Sequence, residues 1–117
     1  GCGGGRDPGK RPLMGRIASD LADVVVVTSD NPRSENPDVI IDEILAGISG
    51  SHQSEIVRET ERSLAITSAI SMAKHGDIVV LAGKGHELTQ EVNGVQFPFS
   101  DVEKARDALR QREEATQ

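Results

Sequence analysis

The run Val24-Val25-Val26-Val27-Thr28-Ser29-Asp30-Asn31-Pro32-Arg33 decides how the rest of the chain is read. Four successive valines are amphipathic in neither the helical nor the strand period. They predict a strand buried on both faces, the signature of a parallel-sheet interior. Residues 29–33 then supply turn chemistry, with Pro32 pushing Asn31 out of the helical region. Open α/β sheets bind ligands in loops at the carboxyl ends of their strands. This loop offers an amide at Asn31 and a guanidinium at Arg33, the chemistry of a binding loop and equally of a capped turn with a solvated charge. The other loops that join it must decide between the two.

Upstream, Pro12 at a first helical position opens a helix carrying Leu13, Met14, Ile17, Ala18 and Leu21 on one face, read as core against the sheet. Before it, residues 1–11 form a glycine-rich loop with Arg6, Lys10 and Arg11. Gly4 to Lys10 matches the glycine–lysine spacing of a phosphate loop, but Arg11 and Pro12 follow where that motif needs Ser or Thr. Such a loop normally follows a strand. No strand precedes Gly1, so the first strand reads as truncated and the chain as a piece of something longer.

Downstream, Asn36 caps a helix with Pro37 at its first position and Ile40, Ile41, Ile44, Leu45 and Ile48 as its buried stripe. His52 falls in a polar surface loop with no role expected of it. Ile56-Val57 is a short strand, and a helix over about 61–74 turns Ala65, Ile66, Ala69, Ile70 and Ala73 inward. Ile78-Val79-Val80-Leu81-Ala82 predicts a second fully apolar strand running into Gly83-Lys84-Gly85-His86-Glu87. Asn93-Gly94 marks a hairpin within residues 89–97. Ser100 with Glu103 forms a capping box for a last helix over 101–112, with residues 113–117 expected to fray.

The alternation predicts one α/β domain over residues 1–117, an open, mostly parallel Rossmann-like sheet with flanking helices and an antiparallel edge hairpin. Right-handed crossovers put the carboxyl ends of parallel strands on one rim, so the three loops should converge there. A net charge of −6, from 13 basic and 19 acidic residues, argues against a nucleic-acid partner. No apolar run reaches membrane-spanning length. The single Cys2 has no nearby His and reads as a small packing residue. His86-Glu87 lacks the second His of a metalloprotease motif, so no metal is expected.

The rim gathers Arg6, Lys10, Arg11, Arg33 and Lys84, with Asn31, His86 and Glu87 among them. Arg33 suits a carboxylate, Glu87 an ammonium, and Asn31 has both a donor and an acceptor to bridge them. This is an amino-acid site beside an anion site, with Lys10, Arg11, Lys84 and His86 as candidates for the anion.

Taken in order, Gly1-Cys2-Gly3-Gly4, Arg6-Asp7, Gly9-Lys10-Arg11-Pro12-Leu13-Met14-Gly15, Thr28-Ser29-Asp30-Asn31-Pro32-Arg33 and Ala82-Gly83-Lys84-Gly85-His86-Glu87 resemble the carboxyl-terminal domain of the Mur ligases. The sequence departs from that pattern at Gly5 and Asn36, where acidic residues are usual. The resemblance implies a bacterial, cytoplasmic peptidoglycan enzyme of the diaminopimelate-adding branch. There ATP activates a carboxylate and an amino acid's amine attacks the acyl phosphate. It implies that Arg6, Asn31, Arg33, Gly83 and Glu87 hold meso-diaminopimelate, with Asp30-Asn31-Pro32-Arg33 as the specificity motif. It also implies that ATP and magnesium bind outside this chain, which is then not active alone. Two other readings remain: a related or folylpolyglutamate-type ligase taking lysine or glutamate, and a stand-alone amino-acid-binding module.

Overall fold

Residues Val24–Val27 form a strand (β1) that pairs in parallel with Glu55–Arg58 (β2), Val24 opposite Glu55 and Val27 opposite Arg58. The structure, a computed structural model, describes residues 1–115. Helix α1 spans Lys10–Leu21, α2 Pro37–Leu45, α3 Arg62–Met72 and α4 Asp101–Ala115. Strands β3 (Thr89–Val92) and β4 (Val95–Pro98) make an antiparallel hairpin, which meets the rest through a parallel bridge between Arg33 and Val92. The architecture is α/β, and in place of one open sheet the described strands form two two-stranded sheets: α2 joins the parallel pair β1–β2 as the alternation predicts, and β3–β4 is a hairpin.

Local signals are obeyed closely. The Asn36 side chain accepts the Asp38 N–H at 2.9 Å, and Pro37 opens α2. Asn93 and Gly94 both have positive φ, 51° and 77°, as a two-residue hairpin turn requires. Ser100 Oγ accepts the Glu103 N–H at 3.3 Å to start α4. That helix continues through residues 113–115, which were expected to fray; the same expectation for Thr116 and Gln117 lies outside the described residues.

Two small cores hold these elements together. Val27, Ile40, Ile41 and Ile44 cluster under Val25, Leu45 and Ile56, while Ile66, Ile70 and Ala108 join α3 to α4 with Leu81 and Phe99 at their margin.

Three expectations about apolar residues fail. First, residues 78–82 are not a strand: among the described residues no ladder partner lies beside them, and Ile78 and Val80 are 88% and 77% exposed. Second, the valine strand is not buried on both faces, since Val24 is exposed and Val25 and Val26 are half-buried. Both follow from β1 having one ladder neighbour, β2, among the described residues. Third, the stripe Leu13, Met14, Ile17 and Leu21 faces outward. Helix α1 instead buries Arg11, Gly15 and Ser19, starting at Lys10 rather than Pro12. The reason is close backbone docking on α2: a Cβ at Gly15 would stand 2.1 Å from the Ile44 carbonyl oxygen. A side chain at Gly47 would likewise meet the Pro12 carbonyl oxygen at 1.8 Å. A glycine face allows that approach and a leucine face does not.

Candidate functional site

The loop after β1 is held from below before any ligand is considered. Thr28 and Ser29 are buried, and their hydroxyls donate to the Thr60 carbonyl at 3.3 and 2.8 Å. Arg62, at the start of α3, donates to the Ser29 carbonyl at 3.1 Å. Its guanidinium also grips both oxygens of Asp101 on α4, at 2.8 and 2.6 Å, and the pair is buried. From β3, the Gln90 amide donates to the Asp30 carbonyl at 2.6 Å.

Above this base the first loop and the second are stitched together. Gly4 N–H donates to the Asn31 carbonyl at 2.7 Å, and Arg33 Nη1 donates to the Gly4 carbonyl at 2.7 Å. Only glycine fits at position 4, because a Cβ would lie 1.9 Å from the Pro32 carbonyl oxygen. Arg33 sits at φ 54°, a conformation that costs a non-glycine residue strain and that clusters at ligand sites. Hairpin bonds hold it there, Arg33 N–H to the Glu91 carbonyl at 3.0 Å and Asn93 N–H to the Arg33 carbonyl at 2.7 Å. Glu91 Oε1 lies 3.8 Å from Arg33 Nε, leaving the guanidinium half-exposed between two loops.

The third loop closes the corner. Gly83, at φ 118°, lies against Gly1 and Asp30, with the space for its Cβ 3.5 Å from the Gly1 carbonyl oxygen. Glu87 reaches back, and its Oε2 accepts the Asn31 side-chain N–H at 3.2 Å. Asn31, Arg33, Gly83 and Glu87 are thus brought into one corner. The exposed Arg6 side chain lies beside it, its Cγ and Arg33 Nη1 both close to the space a Cβ would take at Gly3. A guanidinium and a carboxylate on either side of an amide match a zwitterionic amino-acid head group.

The anion candidates separate into two pairs. Lys10 and His86 are exposed. Arg11 and Lys84 are buried and committed to the protein, contrary to their reading as anion ligands. Arg11 pairs with both oxygens of Glu35 at 3.0 Å, with Glu43 at 2.5 Å, and with the Gly3 carbonyl at 3.1 Å. The Glu35 hydrogen bond holds the Arg11 guanidinium well above its ordinary pKa. In return, Arg11 and then the Gly5 N–H hold the Glu35 carboxyl below its own. Lys84 Nζ meets the Asn31 side-chain oxygen at 2.8 Å, the Thr89 carbonyl at 3.0 Å and Asp30 Oδ1 at 2.9 Å. The Asp30 contact is an ion pair without the angle of a directed hydrogen bond.

Sequence reasoning missed Glu35, Arg62, Gln90, Glu91 and Asp101, all of which shape this corner. The signal available for Gln90 and Glu91 was their position on the hairpin arm next to the glycine–lysine loop. Arg62 and Asp101 gave none.

Residues 1–85 match the family model described as the glutamate ligase domain of the Mur ligases. The chain belongs to the Mur ligase family. Curated Mur ligases agree over nearly the whole chain. The UDP-N-acetylmuramoyl-L-alanyl-D-glutamate–2,6-diaminopimelate ligase of Nitrosomonas europaea is 54% identical over 109 residues, covering 93% of this chain and 20% of the relative. The proteins of the same name from Aquifex aeolicus and Rhizobium meliloti are 50% and 56% identical, again over 93% of this chain and 22% and 21% of their own lengths. A solved structure of a ligase of that name superposes with a TM-score of 0.89 at 46% identity, covering 97% of this chain and 23% of that one. The chain therefore spans about a fifth of the length of the curated Mur ligases it matches.

Proposed function

We propose that residues 1–117 are one domain, the amino-acid-binding part of an ATP-dependent amide ligase. The ligase adds meso-diaminopimelate to UDP-N-acetylmuramoyl-L-alanyl-D-glutamate, as the names of its relatives say of those proteins. The reaction belongs to peptidoglycan synthesis in the bacterial cytoplasm, with small-molecule substrates only. No helix among the described residues is long and apolar enough to cross a membrane.

The observation that carries this reading is the corner of Arg33, Asn31 and Glu87. Diaminopimelate differs from lysine by a second carboxylate, and an arginine beside an ammonium acceptor fits that difference. Arg33 forks onto the distal carboxylate, Glu87 accepts from the neighbouring ammonium, and Arg6 adds positive charge at the rim. Holding the amino acid by its distal end leaves its other amine free to attack an activated carboxylate.

The glycine-rich first loop does not complete a phosphate loop. The glycine–lysine spacing of residues 4–10 is followed by Arg11, which is buried among carboxylates where a phosphate loop places a magnesium ligand. ATP and magnesium therefore belong, in this reading, to the length of the relatives that the chain does not span. This chain supplies recognition rather than the phosphoryl step.

Titrating the 117-residue chain with meso-diaminopimelate and with L-lysine, followed by amide NMR, tests the reading. Shifts should concentrate in residues 31–33 and 83–87 and should be specific to diaminopimelate. Arg33→Ala should cost about 2–5 kcal/mol of binding, the scale for one partner of a desolvated charge pair. Equal responses to both amino acids would overturn the role given to Arg33.

A further inference from the structure

We propose that Lys84 is a positioning residue, holding Asn31 so that it meets the ligand with hydrogen-bond donors alone. The proposal rests on the amino-acid-binding reading above and assigns a polarity to that site.

The orientation of the Asn31 amide follows from its neighbours. An ammonium and a backbone N–H can donate but never accept. Lys84 Nζ at 2.8 Å and the Glu91 N–H at 3.0 Å both face the same Asn31 side-chain atom, which must therefore be the oxygen. Two donors occupy its two lone pairs. The amide nitrogen is left pointing the other way, with one hydrogen on Glu87 Oε2 at 3.2 Å and the second without a partner among the described residues. The expected bridging role for Asn31, donor to one end of the ligand and acceptor from the other, is closed by this arrangement.

Lys84 is suited to enforcing that polarity. Its side chain is 0% exposed, and three oxygens, from Asn31, Asp30 and Thr89, stand at 2.8 to 3.0 Å. The Phe99 ring centroid lies 5.9 Å from Nζ, and Glu87 Oε2 stands 3.9 Å away. Burying an ammonium is costly, and a buried charge is weak as a device for stability alone. Here it orients a neutral side chain and balances Asp30 beneath the loop. The ligand then enters in one sense, with its carboxylate between Arg33 and the Asn31 N–H and its ammonium against Glu87.

Three measurements on the 117-residue chain test this. In the free chain, the Asn31 side-chain NH₂ should show nuclear Overhauser contacts to the Glu87 side chain; contacts to Thr89 instead would overturn the proposal. Lys84→Met should weaken diaminopimelate binding about tenfold and remove the Asn31 NH₂ contacts to Glu87, with amide shifts outside the three loops unchanged. A merely structural role would shift amides throughout the chain, and wild-type affinity with the Asn31 contacts kept would overturn the proposal. If Lys84→Met does not fold, Asn31→Asp decides, since it keeps the inner oxygen for Lys84 but replaces the outward donors with an acceptor. It should weaken diaminopimelate binding at least about tenfold, and wild-type affinity would overturn the proposal. If the wild-type chain binds no diaminopimelate, the amino-acid reading fails, while the Overhauser contacts still decide the orientation of Asn31.

Discussion

Val24–Val27 and residues 78–82 are close to interchangeable as sequences, and only the first is a strand. Both are apolar runs entering a glycine- or turn-rich loop that reaches the site. The first has a parallel neighbour in β2 and a floor of Ile40, Ile41 and Ile44. The second has no ladder neighbour among the described residues, and is tied down at its far end. Leu81 packs on the α3–α4 core, and Arg62 donates to the Ala82 carbonyl at 3.3 Å. Composition specifies the capacity to pair, and pairing needs a second chain segment at the right distance. The two runs still deliver their loops to the same corner, because a buried ion pair does for one what a ladder does for the other.

The comparison breaks most sharply at that ion pair. Arg62→Ala strands Asp101 in a buried site and releases residues 82 and 29 together, and should destabilise the chain by roughly 3–5 kcal/mol in denaturant unfolding. An effect near zero would mean that the second run is anchored elsewhere. A smaller change separates the floors under the two runs. Ile41→Val, in a fully buried position, should cost about 0.5–1.5 kcal/mol, whereas Val80→Ala should stay within about 0.5 kcal/mol because Val80 is solvent-facing. Equal costs would show that residues 78–82 are packed after all.

Acid sharpens the contrast from the side of the first run. The Glu35 carboxyl is held below its ordinary pKa by Arg11 and the Gly5 N–H. A lowered carboxylate pKa contributes stability above the unfolded value, and that contribution fades as pH falls through the folded value. As pH falls below the ordinary glutamate range, therefore, the tie between the first loop and the segment leading into α2 should loosen. The Gly5 amide, which donates to Glu35 at 2.8 Å, should titrate with a midpoint below that of an ordinary glutamate. A midpoint at the ordinary value would remove Arg11 from the account.

What could be read from the sequence was what neighbouring residues determine. Asn36 and Pro37 start a helix, and Asn93-Gly94 turns a hairpin, because the deciding atoms lie within four residues of each other. The convergence of Arg33, Asn31 and Glu87 on one corner was legible because the loops that follow such apolar runs share a rim, which is a rule of topology. Arg11 and Lys84 count as anion candidates in the sequence because basic residues gather on one rim. Their burial depends on Glu35, Glu43, Asp30 and Asn31, each more than twenty positions away. The outward stripe of α1 failed for the same kind of reason: Gly15 and Gly47 choose the docking face, and the apolar pattern of Leu13, Ile17 and Leu21 carries no information about them.

The left-handed backbone of Arg33 bears on any effort to harden this protein. A non-glycine residue held there carries roughly 1–3 kcal/mol of conformational strain. Glycine would relieve it, so a screen for heat resistance that ignores ligands would favour Arg33→Gly and erase the side chain that we propose reads the amino acid. Thermostability and selectivity compete at a single φ angle, and a ligand must be present during selection for the arginine to survive.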